Sequence, residues 1–175
     1  MVSTPLRASL IAVNSATSWR TIRRAVAAVV QRASRRGPRA ASGYPGDHHG
    51  HFDISYEPRP DNVADPGEVV WTWVPFEEDH SQGKDRPVLI VGRDDGWLLA
   101  LPLTSKDHDA DAAQESRAGR FWVDIGSGNW DSSQRESEAR VDRVIRVNPQ
   151  AVRRIGARLD ADHFAAVADE IRRHW

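Results

Sequence analysis

The run that decides the fold is Asp65–Lys106, DPGEVVWTWVPFEEDHSQGKDRPVLIVGRDDGWLLALPLTSK. Three apolar stretches rich in Val, Leu and Trp, Glu68–Phe76, Pro87–Gly92 and Trp97–Leu103, are parted by two polar turns. β-branched and aromatic residues in short runs bounded by Gly, Pro and Asp predict strands. Asp95-Gly96 between the second and third runs predicts a tight hairpin, because both central residues of the favoured turn need positive φ. Pro87 lacks a ladder donor and is expected at the first residue of its strand. That places Arg86 at a strand mouth and Thr104-Ser105-Lys106 at a strand end.

Working towards the C-terminus, Phe121–Ile125 predicts a short fourth strand, followed by a Gly126-Ser127-Gly128-Asn129 turn. Val141, Arg143, Ile145 and Val147 alternate with Asp142, Val144 and Arg146, which predicts one strand over Arg140–Val147. Asn148-Pro149 is a cap followed by proline at a first helical position, so a helix is expected over Pro149–Ile155, stopped by Gly156. Asp160 is expected to cap a last helix with Phe164, Val167, Ala168, Ile171 and Trp175 on one face. The sum is a mainly β (α+β) chain, a small β-barrel with C-terminal helices.

Towards the N-terminus the character changes. Residues 1–46 carry eight Arg and no acid, and residues 47–175 carry 16 Lys+Arg against 25 Asp+Glu, a net of -9. Trp19, Ile22, Val26, Val29 and Val30 recur at helical spacing, so residues 17–33 predict an amphipathic helical arm. Its basic face suits nucleic acid or a membrane surface, and equally suits packing on an acidic domain or a partner subunit. Three regions result: a basic extension over 1–46, a linker or wrapping loop over 47–64, and a barrel domain over 65–175. The loop contains Asp47-His48-His49-Gly50-His51, read as a solvated polar loop because no separated fourth metal ligand is evident. No cysteine is present, which excludes disulfides and Cys-based zinc sites and fits a reducing compartment such as the cytoplasm. No apolar run is long enough to span a membrane, and no secretory signal is evident.

A guanidinium offers a planar fork of donors to phosphate, and hydroxyls with an ammonium can hold a second oxygen. Arg86 and Thr104-Ser105-Lys106, one hairpin apart, therefore suit phosphate chemistry. Taken singly, each has a plainer reading: a surface ion pair for Arg86, a turn for Thr104-Ser105. Histidine is the side chain type suited to acid–base work near neutrality, so His80 is a candidate acid or base, and it also fits a solvated loop. Of the tryptophans, Trp71, Trp73, Trp97 and Trp122 are expected in the core or at an interface, and Trp130, in a glycine-rich turn, is expected to be exposed.

With these residues in view, the chain resembles the PemK/MazF toxin family. The resemblance rests on G-E-V-V-W from Gly67, Q-G-K-D-R-P-V-L-I-V from Gln82, L-P-L-T-S-K from Leu101 and V-D-R-V-I-R-V-N-P from Val141, in that order, over about residues 65–155 with the final helix also in place. It implies an SH3-like or CcdB-like barrel, a homodimer, and a metal-independent endoribonuclease cutting single-stranded RNA at short sequences. It also implies restraint by a cognate antitoxin protein, with no cofactor. Arg86 and Thr104 would carry catalysis, and Gln82, Lys84, Ser105, Lys106 and Arg143 would contact RNA. Departures stand beside it: Ser81 where some relatives have Glu, and Arg143 and Ile145 where the family has Gln and Arg. A non-catalytic barrel, either a binding module or a CcdB-like topoisomerase poison, is the competing reading.

Overall fold

Both faces of the central strands are buried, which explains why their sequences run apolar without alternation. The computed structural model describes residues 43–106 and 112–175. The helix expected over 17–33 lies outside them. The elements are β1 (Glu68–Pro75), β2 (Gly83–Asp94), β3 (Trp97–Thr104), α1 (Ala112–Arg117), β4 (Trp122–Asp124), β5 (Glu138–Arg140), β6 (Ile145–Val147), a 3-10 turn at Pro149–Ala151, β7 (Arg154–Arg158) and α2 (Ala161–His174). The antiparallel sheet runs β4-β5-β3-β2-β1-β7, with β6 also on β3. It curls like a barrel and stays open: among the described residues no ladder joins β4 to β7.

Alternate residues of β1, β2 and β3 feed two cores. Val69, Leu89, Val91, Leu99, Leu101 and Leu103 pack with Phe164, Val167 and Ile171 of α2, and Val70, Val88, Ile90, Leu98 and Ala100 pack with Ile145 and Val147. Asp160 caps α2, accepting from the backbone N–H groups of Asp162 and His163 at 3.2 and 3.0 Å. The Asp95-Gly96 hairpin forms with both residues at positive φ, 45° and 83°.

Three expectations change. The helix expected over Pro149–Ile155 is only a turn, followed by β7. Asn148 does cap it, but Val152 and Ile155 pack on the second core while β7 adds to the edge of β1. Tertiary pairing outweighs the capping signal. The strand expected over Arg140–Val147 is two: β5 pairs with Leu103–Thr104 and β6 with Leu98–Ala100, at opposite ends of β3. The break between them holds Asp142, whose carboxylate accepts from Phe121 N–H at 2.8 Å and binds Arg140. Pro87 lies inside β2, not at its start. β3 pairs with β2 only from Val88 onward, so residues 83–87 are laddered on the β1 side alone and tolerate the missing donor.

The segment before β1 lies along the sheet. Its backbone bonds Val144 through His48, Val91 through Ser55 and Pro66 through Glu57, and the Tyr56 hydroxyl donates to the Leu159 carbonyl at 2.8 Å. Phe52 and Ile54 pack on the α2-side core. His48, expected in a solvated loop, is 7% exposed and stacks edge-on against Phe52, while His49 and His51 are exposed.

Candidate functional site

Counting along the hairpin brings the two candidate catalytic residues together. β2 and β3 pair as Gly92↔Leu99, then slip by one residue at a bulge, and continue as Ile90↔Ala100 and Val88↔Pro102. Two residues further out on each strand, where the ladder has ended, Arg86 falls opposite Thr104. Residues directly opposite in an antiparallel pair share a face of the sheet. Arg86, Thr104 and Ser105 accordingly line one open cleft of about 220 Å³, together with Trp71, Asp131 and Ser137.

Arg86 is half-buried and makes no hydrogen bond or ion pair among the described residues. Its pKa is pulled down, first by burial and then by the neighbouring positive charge of Arg143. Guanidinium remains protonated in proteins, so this cation is costly where it stands and lacks an anion. Arg93, Arg140 and Arg146, by contrast, are engaged: Arg93 with Asp65, Arg140 with Asp142 and Glu77, Arg146 with Asp94. The Thr104 Oγ1 accepts the Lys106 backbone N–H at 3.1 Å, which occupies a lone pair and leaves its O–H as a donor.

The remaining sequence-predicted residues are dispersed. Ser105 lines the cleft; Gln82, Lys84, Lys106, Arg143 and His80 are not among the residues that line it. Gln82 bonds Asp79 at 2.7 Å within the β1–β2 turn, and Lys84 lies over the Phe76 ring at 5.6 Å. Arg143, expected as an RNA contact, is 8% exposed. Its guanidinium donates to the Asp47 carboxylate at 2.7 Å and the Pro75 carbonyl at 3.0 Å, and thus stands behind Arg86 as a structural cation. Burial pushes the Asp47 carboxyl up, but the bonds from Arg143 and Tyr44 outweigh it and hold it below its usual range. His80 is edge-on to Tyr44 and 3.9 Å from Asp47, away from the cleft. Among the described residues no three His, Asp or Glu side chains converge as metal ligands.

Sequence reasoning missed the cleft's other wall. Asp131 and Arg135, on the β4–β5 loop, face it as an ion pair of 2.7 Å. The loop is held there by Trp130, which is 3% exposed, contrary to the expectation of exposure. Its indole donates to Ser137 Oγ at 3.1 Å, and its ring fills the space where a Gly128 Cβ would lie, 2.2 Å away. Of the two glycines that suggested a surface turn, Gly128 makes room for the ring and Gly126 takes a positive φ of 67°.

Fold and cleft together define a small open barrel with an unpaired cation and a hydroxyl at the splayed end of its central hairpin. Residues 65–175 match the family of PemK-like, MazF-like toxins of type II toxin-antitoxin systems, and the chain belongs to that family. Among solved structures it is similar to MazF (Form-I) from Deinococcus radiodurans, at 21% identity over 63% of this chain and 94% of that one, TM-score 0.44. It is also similar to MazE-MazF (Form-II) from the same organism, at 19% identity over 63% and 94%, TM-score 0.43. The Mycobacterium tuberculosis toxin MazF-mt6 matches at 19% identity over 61% and 94%, TM-score 0.41. No curated protein matches the chain. Among the described residues no helix is long and apolar enough to cross a membrane.

Proposed function

We propose that this chain is a sequence-specific endoribonuclease that cleaves single-stranded RNA without a metal ion, through Arg86 and Thr104. The observation that carries this reading is the half-buried, unpartnered guanidinium of Arg86 sharing a cleft with the Thr104 hydroxyl. A phosphodiester seated there gives Arg86 its missing anion. The 2′-hydroxyl oxygen bonds to the adjacent phosphorus as the bond to the 5′-oxygen breaks, leaving a 2′,3′-cyclic phosphate and a 5′-hydroxyl end. Negative charge gathers on the phosphoryl oxygens in the transition state. Donors fixed before reaction, the Arg86 fork and the Thr104 O–H, stabilise it most there. The cleft opens to solvent, so water removes the 2′-hydroxyl proton and supplies one to the departing oxygen. Family membership supports a cytoplasmic toxin held in check by a cognate antitoxin, and a homodimer.

Incubating the purified chain with a long single-stranded RNA in EDTA tests this. Discrete fragments ending in 2′,3′-cyclic phosphate are expected, and Arg86→Ala or Thr104→Ala should lower their yield by about 10²–10³. Intact RNA, or cleavage indifferent to Arg86→Ala, overturns the reading. Growth arrest that survives the double Arg86→Ala/Thr104→Ala change would instead place the chain among non-catalytic barrels of the topoisomerase-poison type.

A further inference from the structure

The cleft continues past Arg86. Trp71, Asp131 and Arg135 also line an adjoining depression of about 460 Å³, whose far wall carries Asp85 and Arg153. Both arginines of this second chamber already hold a carboxylate, Arg135 on Asp131 at 2.7 Å and Arg153 on Asp85. Its charges are therefore balanced in pairs, unlike a track built for phosphates alone, which gathers cations.

Asp131 is the informative member. It is 8% exposed, yet it faces both chambers. One oxygen accepts from Arg135 Nε and the other from the Ser133 backbone N–H at 2.9 Å. Those two donors, the Arg135 side chain foremost, hold its carboxyl below the usual range, so it is an anion at neutral pH. A carboxylate has about four acceptor positions, so lone pairs remain. Next to a phosphodiester those lone pairs would be repelled. Next to the edge of a base they match N–H donors, as carboxylates do with cytosine N4. Beside Asp131 stands Trp71, whose indole N–H donates to the Trp130 carbonyl at 2.8 Å, which fixes the ring as a wall common to both chambers. A fixed aromatic face next to a phosphate site is what an unstacked base needs.

We infer that the second chamber reads one base of the RNA strand: the base lies against Trp71 and donates an exocyclic amino group to Asp131. The nucleotide adjoining the cleaved phosphodiester is then cytosine, adenine or guanine in preference to uracil, whose one N–H lies on the ring at N3 between two carbonyl oxygens that a carboxylate repels. Asp131 is a specificity residue and touches the substrate; Arg135 positions it. The inference rests on the RNA-cleaving reading of the Arg86 cleft.

Two measurements on the full chain test it. In the first, cleavage ends are mapped on a long RNA for the parent, Asp131→Asn and Arg135→Ala. The parent should show amino-bearing bases enriched at one fixed position beside the cut. Asp131→Asn, whose amide both donates and accepts, should reduce that bias by about tenfold whatever the total rate. Arg135→Ala, which loosens the Asp131 carboxylate without removing it, should weaken the bias less than Asp131→Asn does. No such position in the parent, or an unchanged bias in Asp131→Asn, overturns the inference. In the second, binding is measured to uncleavable 2′-O-methyl hexamers, all-uracil against hexamers with one cytosine or adenine at each position in turn. Preference for an amino-bearing hexamer in the parent, lost in Asp131→Asn, supports the inference. Equal or absent binding overturns it. Should the parent cut no RNA, the cleavage reading fails while this binding preference still decides the base-reading inference.

Discussion

The two ends of the β2–β3 hairpin are built in opposite ways. At the turn end Asp65, Arg93, Asp94 and Arg146 are all paired. Asp65, its side chain 1% exposed, accepts from Arg59 and Arg93 at 2.6–2.7 Å. Arg146 bonds Asp94 at 3.3 Å and the Asp47 carbonyl at 2.9 Å. The Val91 carbonyl, turned out of the ladder by the bulge, accepts Ser55 N–H at 3.1 Å, and the Ile90 carbonyl accepts Gly67 N–H at 2.9 Å. At the other end the ladder stops at Val88↔Pro102, and Arg86 is left with no acceptor. The difference teaches where stability is concentrated. A barrel tied firmly at one end can hold an unsatisfied cation at the other, ready for a ligand's charge.

That contrast can be broken from either side. The largest effect is expected from removing the segment that ties the turn end. A chain of residues 65–175 loses the packing of Phe52 and Ile54 on the core, the Tyr56 contacts to Leu159 and Phe164 and the Asp47 partner of Arg143, and should be roughly 5 kcal/mol less stable than one of residues 43–175. Chemical denaturation of the two chains checks this, and equal midpoints would mean the ties at the turn end contribute little. At the open end, Arg86→Ala should lower RNA cleavage by about 10²–10³, about 3–4 kcal/mol of transition-state stabilisation, and leave the melting temperature unchanged or raised. A fall in melting temperature would show that Arg86 is structural, like Arg143.

Asp65→Asn tests the tied end through its charge. Hydrogen bonds from Arg59 hold the Asp65 carboxyl below its usual range against the opposing effect of burial. A depressed folded pKa adds stability that is present above the unfolded value, near 3.9, and is lost as pH falls through the folded one. The variant should be about 3 kcal/mol less stable at pH 7, and the gap should narrow below about pH 4. Glu68, raised first by burial and in part by the Asp65 charge, titrates in the opposite sense, so Glu68→Gln is carried in both chains to remove its contribution. A gap that does not change with pH would refute the charge-based account. Gly92→Ala should cost about 2 kcal/mol, since its Cβ would lie 2.5 Å from the Asp53 backbone carbonyl. The smallest effect is expected at the exposed rim of the open end. Lys106→Ala should weaken RNA binding about threefold at low salt and less at high salt, measured as a change in KM with kcat preserved.

Much of the hairpin was legible from residue types. Asp95-Gly96 specified the turn, and the R-P and T-S dipeptides marked the residues that meet. The bulge was not legible, because Ile90, Val91 and Gly92 read as an uninterrupted strand and nothing local shows which residue the partner strand omits. The segment over 47–64 read as a linker or a wrapping loop because several of its ties are backbone bonds, which any sequence can make, and its apolar residues Phe52 and Ile54 sit in a short stretch among Pro, Gly and Asp. Asp131 and Arg135 were passed over for a related reason. Their place in the cleft depends on Trp130 being drawn inward, and that depends on space left by Gly128. Arg143 shows the converse limit: its residue type suits RNA, but its neighbour Asp47, 96 residues away in sequence, decides its role.

The bulge at Val91 makes the hairpin a counting device. Had the Gly92↔Leu99 spacing continued unbroken, six residues back and six forward, Arg86 would face Ser105, and Thr104 would point to the opposite side of the sheet. A single-residue deletion in the turn at Asp95-Gly96, roughly 30 Å of strand from the cleft, would therefore bring Ser105 opposite the guanidinium if the register follows the turn, and an insertion would bring Leu103, which has no hydroxyl. Length changes in this turn should be tolerated in related chains where gain or loss of the bulge restores Thr104 opposite Arg86.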